Sequence, residues 1–310
     1  MKPLSDARVV LALGATVFFW ASAYAGIRDA LEIFGPGEVA LARLLVAAVV
    51  LALYAAATGM RLPEVRDLPV VFLAGFLAFA VYHVALNYGE ITVSAGAAGV
   101  LIATAPVFTA LLATAFLGER LRSLGWAGMA VSFVGAALIS LDEGGGFALD
   151  PGAFLILLSA VCVSVYFVFQ KPYLAKYGAL SFTTYAIWSG TLFTLPYLPG
   201  LFSQSLTAPA RTTLVLVYLG LFPTALGYVT YAYAMSRMDT SAAVSFLYLI
   251  PVLAYLVGWA WLGEVPMPLS VLGGLLALAG VVLVNRGAQE RSVVESWTNE
   301  ERRVRNDGRA

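Results

Sequence analysis

The sequence predicts an all-α membrane protein of ten transmembrane helices, arranged as two five-helix repeats of inverted topology with both termini in the cytoplasm. Three observations carry this prediction. Of the 310 residues, 61% are hydrophobic and only 12% charged, where a soluble domain carries about 25% charged residues. The apolar residues fall into runs of membrane-spanning length. One of those runs recurs, in register, in the second half of the chain.

A helix needs roughly 20 mostly apolar residues to cross the bilayer core. Ten such runs lie at about 9–29, 36–58, 67–89, 94–117, 123–141, 152–170, 181–202, 211–235, 240–262 and 267–285. Several are rich in Val, Phe and Tyr, but a barrel strand is only about 10 residues long and alternates. The first run, behind Lys2 and Arg8, imitates a signal peptide, with Ala21-Ser22-Ala23 as a mock cleavage site. Because its apolar stretch continues to Arg28, it reads as a retained first helix.

The repeat is clearest in AGAAGVLIATAPVFTALLATAFLGE (95–119) and TSAAVSFLYLIPVLAYLVGWAWLGE (240–264). Pro106 pairs with Pro251 and Leu117-Gly118-Glu119 with Leu262-Gly263-Glu264; beyond the motif, Gly128 pairs with Gly273 and Gly135 with Gly280. One constant offset without a gap relates them all, the mark of internal duplication. Ser22 and Tyr24 match Ser164 and Tyr166 at a slightly different offset. The halves are residues 1–141 and 151–285, joined by DEGGGFALD at 142–150, and followed by a tail at 286–310 that is too polar to pack.

Charge sets the orientation. With the N-terminus inside, the inner segments hold fifteen Lys and Arg residues, the outer segments only Arg28 and Arg211, and Arg43 lies within a span. The positive-inside rule then puts both termini in the cytoplasm. Five spans per half send the second half in from the opposite side, so Glu119 is inside and Glu264 outside. Inverted repeats of this kind build many secondary transporters.

The same runs hold the candidate functional groups. Ser94 and Asp239 sit where N-caps would start the fourth and ninth helices, and the recurring small residues read as packing seams. Pro106 and Pro251, near mid-membrane, remove a backbone hydrogen bond each and stand as candidate hinges. Polar groups inside a membrane are functional candidates by default; here they are Arg43, His83, Asn87 and Gln170. Arg43 could bind an anionic group, snorkel, or pair with Glu38. His83 is the single histidine, and only it could titrate near neutrality within a span. Glu38 and Glu90 fall at outer span ends, within reach of water. No Asp or Glu falls near a midplane, which points to uncoupled facilitated diffusion. Trp126, Trp259, Trp261, Tyr177 and Tyr218 fit interfacial belts. Trp20, Tyr24, Tyr82, Tyr166, Trp188, Tyr228, Tyr231 and Tyr248 lie nearer span centres, and rings with a few hydroxyls suit a small amphipathic solute.

Catalytic motifs, a P-loop and metal-ligand clusters do not occur in the sequence. The reading is therefore a transporter, not an enzyme, that needs no cofactor or metal. The single Cys162 reads as a buried structural thiol. A net charge of zero gives no surface for nucleic acid.

Ten spans as five plus five, a proline in the fourth and ninth, and Leu-Gly-Glu closing both resemble the EamA-type transporters of the drug/metabolite transporter superfamily. Phe19-Trp20-Ala21 and Arg43 after Pro36 are similar to that family too, over residues 8–285. Val265, where the first half has Arg120, departs from it. Within the family the chain most resembles bacterial inner-membrane exporters of aromatic amino acids. That resemblance implies a basket-like fold with a central cavity, alternating access, and export of amino acids or related metabolites through the lipid bilayer. It places Trp20, Tyr82, His83, Trp188 and Tyr248 near the path, and a monomer is compatible with it. The competing expectation is efflux of drugs or other metabolites, proton-coupled through His83.

Overall fold

The structure is a computed structural model that describes residues 7–116, 123–143, 150–235, 237, 246–247 and 249–284. Among them all regular structure is helical and no strand occurs. In chain order the main helices are α1 (Ala7–Leu31), α2 (Pro36–Thr58), α3 (Val65–Gly89), α4 (Ala95–Phe116), α5 (Ser123–Glu143), α6 (Pro151–Phe169), α7 (Ala179–Thr194), α8 (Ala210–Ala234), α9 (Ile250–Leu262) and α10 (Pro268–Val284). Six of them (α1, α2, α3, α4, α6 and α8) are long and apolar enough to cross a bilayer. Helices suit lipid because each closes its own backbone hydrogen bonds. Leu117-Gly118-Glu119, Asp239, Thr240, Tyr248 and the tail from 285 lie outside the described residues.

Local signals set the helix ends. Pro36 starts α2 where its missing N–H costs nothing, and Gly59 closes it with φ 64°. Ser94 caps α4 as expected, its hydroxyl accepting from the Ala97 N–H at 3.4 Å. Asp150 caps α6 through the Gly152 N–H at 2.6 Å.

Three runs are less continuous than their hydropathy implies. The seventh ends as a helix at Thr194; Pro196 and Pro199 then turn it into a short helix, Leu198–Ser205. A proline cannot donate to the preceding turn, so the ladder stops there. α4 is interrupted at Ala103–Thr104, just before Pro106, and Pro251 stands in the first turn of α9. Ile102 and Leu247, four residues before these prolines, consequently lack the usual donors for their carbonyls.

α3 and α8 each widen into a π-helical segment, at Phe76–Val81 and Gly220–Leu226. The two segments are related by the same offset as the prolines. In α8 the cause is legible: Pro223 has no N–H for the Leu219 carbonyl, and the Thr224 hydroxyl donates to it instead, at 2.8 Å.

The halves interlock. α3 packs on α7, and α8 packs on α2. A Cβ on Gly75 would meet Ser189 Cβ at 2.5 Å, and one on Gly220 would meet Val46 Cβ at 2.4 Å. α5 and α10 meet along the predicted small-residue seam, with Gly128 against Gly280 and Gly135 against Gly273. An added Cβ would come within 2.4–2.7 Å of the facing glycine's carbonyl in all four cases. The pairing is reciprocal, as across a two-fold axis, and it runs antiparallel. At the end of α5, Asp142 accepts from the Ser270 N–H at the start of α10, at 2.5 Å.

Of the predicted belt aromatics, Trp126 and Trp259 do face outward, 51% and 60% exposed. Trp261 and Tyr218 do not fit that role. Trp261 donates to Asp29 at 2.6 Å, and the Tyr218 hydroxyl lies 2.6 Å from Ser22. Tyr177 donates to Asp67 at 2.5 Å. Cys162 is buried.

Candidate functional site: a basic, aromatic cavity between the halves

A cavity of about 220 Å³ lies where α1, α2, α3, α4, α6, α8 and the start of α9 converge. Ile102 and Pro106 from one interrupted helix line it, as do Leu247 and Ile250 from the other. Its polar rim comes from Trp20, Tyr24, Arg43, Tyr82, His83 and Tyr228. Six of the eleven residues expected on a path are thus gathered around one space.

Arg43 is 5% exposed and is the one charged side chain among the described lining residues. Its Nε donates to Thr224 Oγ1 at 3.1 Å. Thr224 stands where Pro223 opens the π-helical turn, so α8 of the second half anchors a cation carried by α2 of the first. The rest of the guanidinium faces the cavity, within electrostatic reach of the Tyr82, Tyr228 and Tyr24 hydroxyls. Glu38 is not its partner.

Trp20 donates to the Pro223 carbonyl at 3.0 Å, and its ring lies 5.4 Å from that of Tyr228 and 5.2 Å from that of Tyr231. The cavity is therefore walled by edges and faces of rings. His83 Nδ1 is 2.7 Å from the Phe79 carbonyl. A carbonyl only accepts, so Nδ1 carries the hydrogen. His83 and Tyr228 occupy equivalent places on α3 and α8.

The other expected path residues are engaged elsewhere. Asn87 is fully buried and donates to the Pro36 carbonyl at 2.8 Å. The Tyr166 hydroxyl pairs with Thr183 at 3.2 Å, and Trp188 donates to the Ala48 carbonyl at 3.1 Å. Gln170 is the half-buried C-cap of α6. Val163 and Phe167 also line the cavity without having been singled out; apolar residues carry no sequence mark that separates lining from packing.

Polar side chains link α1 to the ends of α4, α8 and α9. Arg28 forms an ion pair with Glu264, which also accepts from the Ala95 N–H at 2.9 Å, at the start of α4. Arg211 pairs with Asp29 at 2.8 Å. Arg28 and Arg211, the two basic residues assigned to outer segments, thus both have acidic partners. Glu90 is a correction: instead of meeting water it is 1% exposed, because Arg28 and the 90–95 turn fold over it.

The EamA-like transporter family matches residues 7–141 and again residues 150–286. The chain belongs to that family. A probable terminal-alkyne amino-acid exporter of Streptantibioticus cattleyicolor is 46% identical over 279 residues, covering 90% of this chain and 94% of its own. An uncharacterized inner membrane transporter of Escherichia coli K12, YedA, is 30% identical, covering 89% of this chain and 90% of its own. A solved crystal structure superposes with a TM-score of 0.61 at 20% identity, over 92% of this chain and 99% of that one, which concerns the fold alone. This EamA-like protein is accordingly a multi-pass transporter of the inner membrane, not an enzyme. Residues of both matched regions line the cavity around Arg43.

Proposed function

We propose that the protein exports amino acids, or closely related metabolites, by alternating access between two inverted five-helix halves. The observation that carries this reading is the cavity's chemistry. A buried guanidinium, held from the other half by Thr224, faces a chamber of rings and hydroxyls. No carboxylate lies among the described residues that line it. A buried cation with no carboxylate bonded to it favours a ligand that brings one, and a solute carboxylate can meet it with charge-assisted hydrogen bonds. The aromatic walls accommodate an apolar side chain and can hold an ammonium against a ring face. The 46% identical relative, named as an amino-acid exporter, supports the same substrate class.

The antiparallel seam of α5 and α10 supports the inverted arrangement, and the charge distribution supports cytoplasmic termini. Pro106 and Pro251 would serve as the bending points. In a rocking cycle the halves would pivot about the small-residue seam while the Arg28–Glu264 end opens and closes.

The test is counterflow into proteoliposomes preloaded with unlabelled amino acids, with labelled apolar, aromatic and polar amino acids offered in turn. Saturable uptake of at least one, with its half-saturation raised about tenfold or more in Arg43→Ala, is the expected result. Absence of counterflow for every amino acid would sink the proposal, and counterflow of a cationic dye alone would favour drug efflux.

A further inference from the structure

Glu90 follows the last turn of α3 and is 1% exposed. Both carboxyl oxygens are buried without a hydrogen-bond partner. Asn87, three residues earlier and on the same helix face, buries its Oδ1 equally without a donor. An ionised carboxylate is costly in such a place unless paired. A proton on Glu90 removes the charge and supplies the missing donor.

The neighbours are charged, yet none is bonded to this carboxyl. Arg28 of α1 donates to the main-chain oxygens of Glu90 at 2.7 Å and Val93 at 2.6 Å, while its Nε is paired with Glu264. Glu32, just past α1, and Glu264, beyond α9, line a rim pocket with Glu90. Arg43 of α2 interacts from the cavity side, where Tyr24 and Tyr82 also feel Glu90. Asp150, at the start of α6, is occupied by Thr92 and its own capping amides. Glu90 therefore stands in the wall between rim and cavity, next to an arginine committed to another acid.

We infer that Glu90 is a proton-binding site whose occupancy controls closure of the Arg28–Glu264 rim. Protonated, Glu90 leaves Arg28 to Glu264, and α1 stays tied to the end of α9 and the start of α4. When the carboxyl releases its proton to water, the new carboxylate competes with Glu264 for Arg28, and the tie loosens. One proton is bound on closing and one released on opening; no other group changes its protonation state. Burial raises the carboxyl well above the usual carboxylate range, Arg28 and Arg43 oppose that, and Glu264 adds to it. A cycle of this kind would let a proton gradient drive export, in place of the uncoupled diffusion that a lack of buried acids implies. The inference rests on the transport reading only for that last step.

The test reads the rim without any solute. Leu31, which lines the rim pocket, is changed to Cys in a Cys162→Ser background. Labelling by a membrane-impermeant maleimide is then followed from about pH 6 to about pH 9. Thr207→Cys, in an exposed loop, corrects for intrinsic thiol reactivity. The corrected labelling should rise severalfold with pH, Glu90→Gln should abolish the rise, and Glu90→Asp should shift its midpoint. A flat wild-type profile, or an unchanged profile in Glu90→Gln, overturns the inference. Should Glu90→Gln not fold, an unshifted midpoint in Glu90→Asp does the same. Amino-acid counterflow can succeed or fail independently of either result.

Discussion

At the residue scale the account turns on Arg43. A hydrogen bond to a charged group contributes about 1.5–3 kcal/mol, and each 1.4 kcal/mol is about tenfold in affinity. Arg43→Ala should therefore weaken solute binding roughly tenfold to a hundredfold. Arg43→Lys, which keeps the charge but loses the planar fork, should fall between. Concentration dependence of counterflow measures both, and an unaltered half-saturation in Arg43→Ala would remove the residue from the site. Arg43, Trp20 and His83 were legible because polar or ring-bearing groups inside a span need a reason. Asn87, Tyr166 and Trp188 gave the same signal yet serve packing, since their partners are carbonyls and hydroxyls on other helices. Composition marks a group that needs a partner; it does not say which helix supplies one. Glu90 was misplaced for a related reason: its position at a span end is visible, whereas the turn that covers it is tertiary.

At the element scale the interruptions matter more than the lengths. Pro223 frees the Leu219 carbonyl, Thr224 takes it, and the same hydroxyl receives Arg43. Thr224→Val should remove the hydroxyl's bonds to that carbonyl and to Arg43 and cost about 1–3 kcal/mol, read as a lower unfolding temperature in detergent together with weaker counterflow. Thr224→Ser should restore both; if it restores neither, the hydroxyl is not the link. Prolines were plain in the sequence, so the breaks in α4 and α9 were foreseeable. The π-helical segments were not, because an extra residue per turn leaves the apolar pattern nearly intact and α3 carries no proline in its segment. On the seam, Gly135→Ala would force a Cβ to 2.4 Å from the Gly273 carbonyl and the Ala277 nitrogen. Overpacking of that kind costs about 1–3 kcal/mol. Gly14→Ala, with nothing within 4 Å, should be neutral in the same melting experiment.

At the scale of the whole molecule, the EamA-like unit occurs twice, at residues 7–141 and 150–286, and the two copies complete each other. α3 leans on α7 and α8 on α2, so neither half supplies the full cavity wall. The duplication was readable from a few residues held at one offset, and counting arginines and lysines gives an expected orientation. The interlocking of the halves was not, since nothing local distinguishes packing within a repeat from packing across it. Opposite orientation of the halves is the claim on which alternating access depends. The loop after α2 and the loop before α8 occupy equivalent places in the two halves, and Arg61 and Thr207 in them are exposed. The most direct measurement is labelling of Arg61→Cys and Thr207→Cys, each in a Cys162→Ser background, by an impermeant maleimide in intact cells. The account predicts that Thr207→Cys reacts from outside and Arg61→Cys reacts only after the membrane is opened; reaction of both from the same side would contradict it.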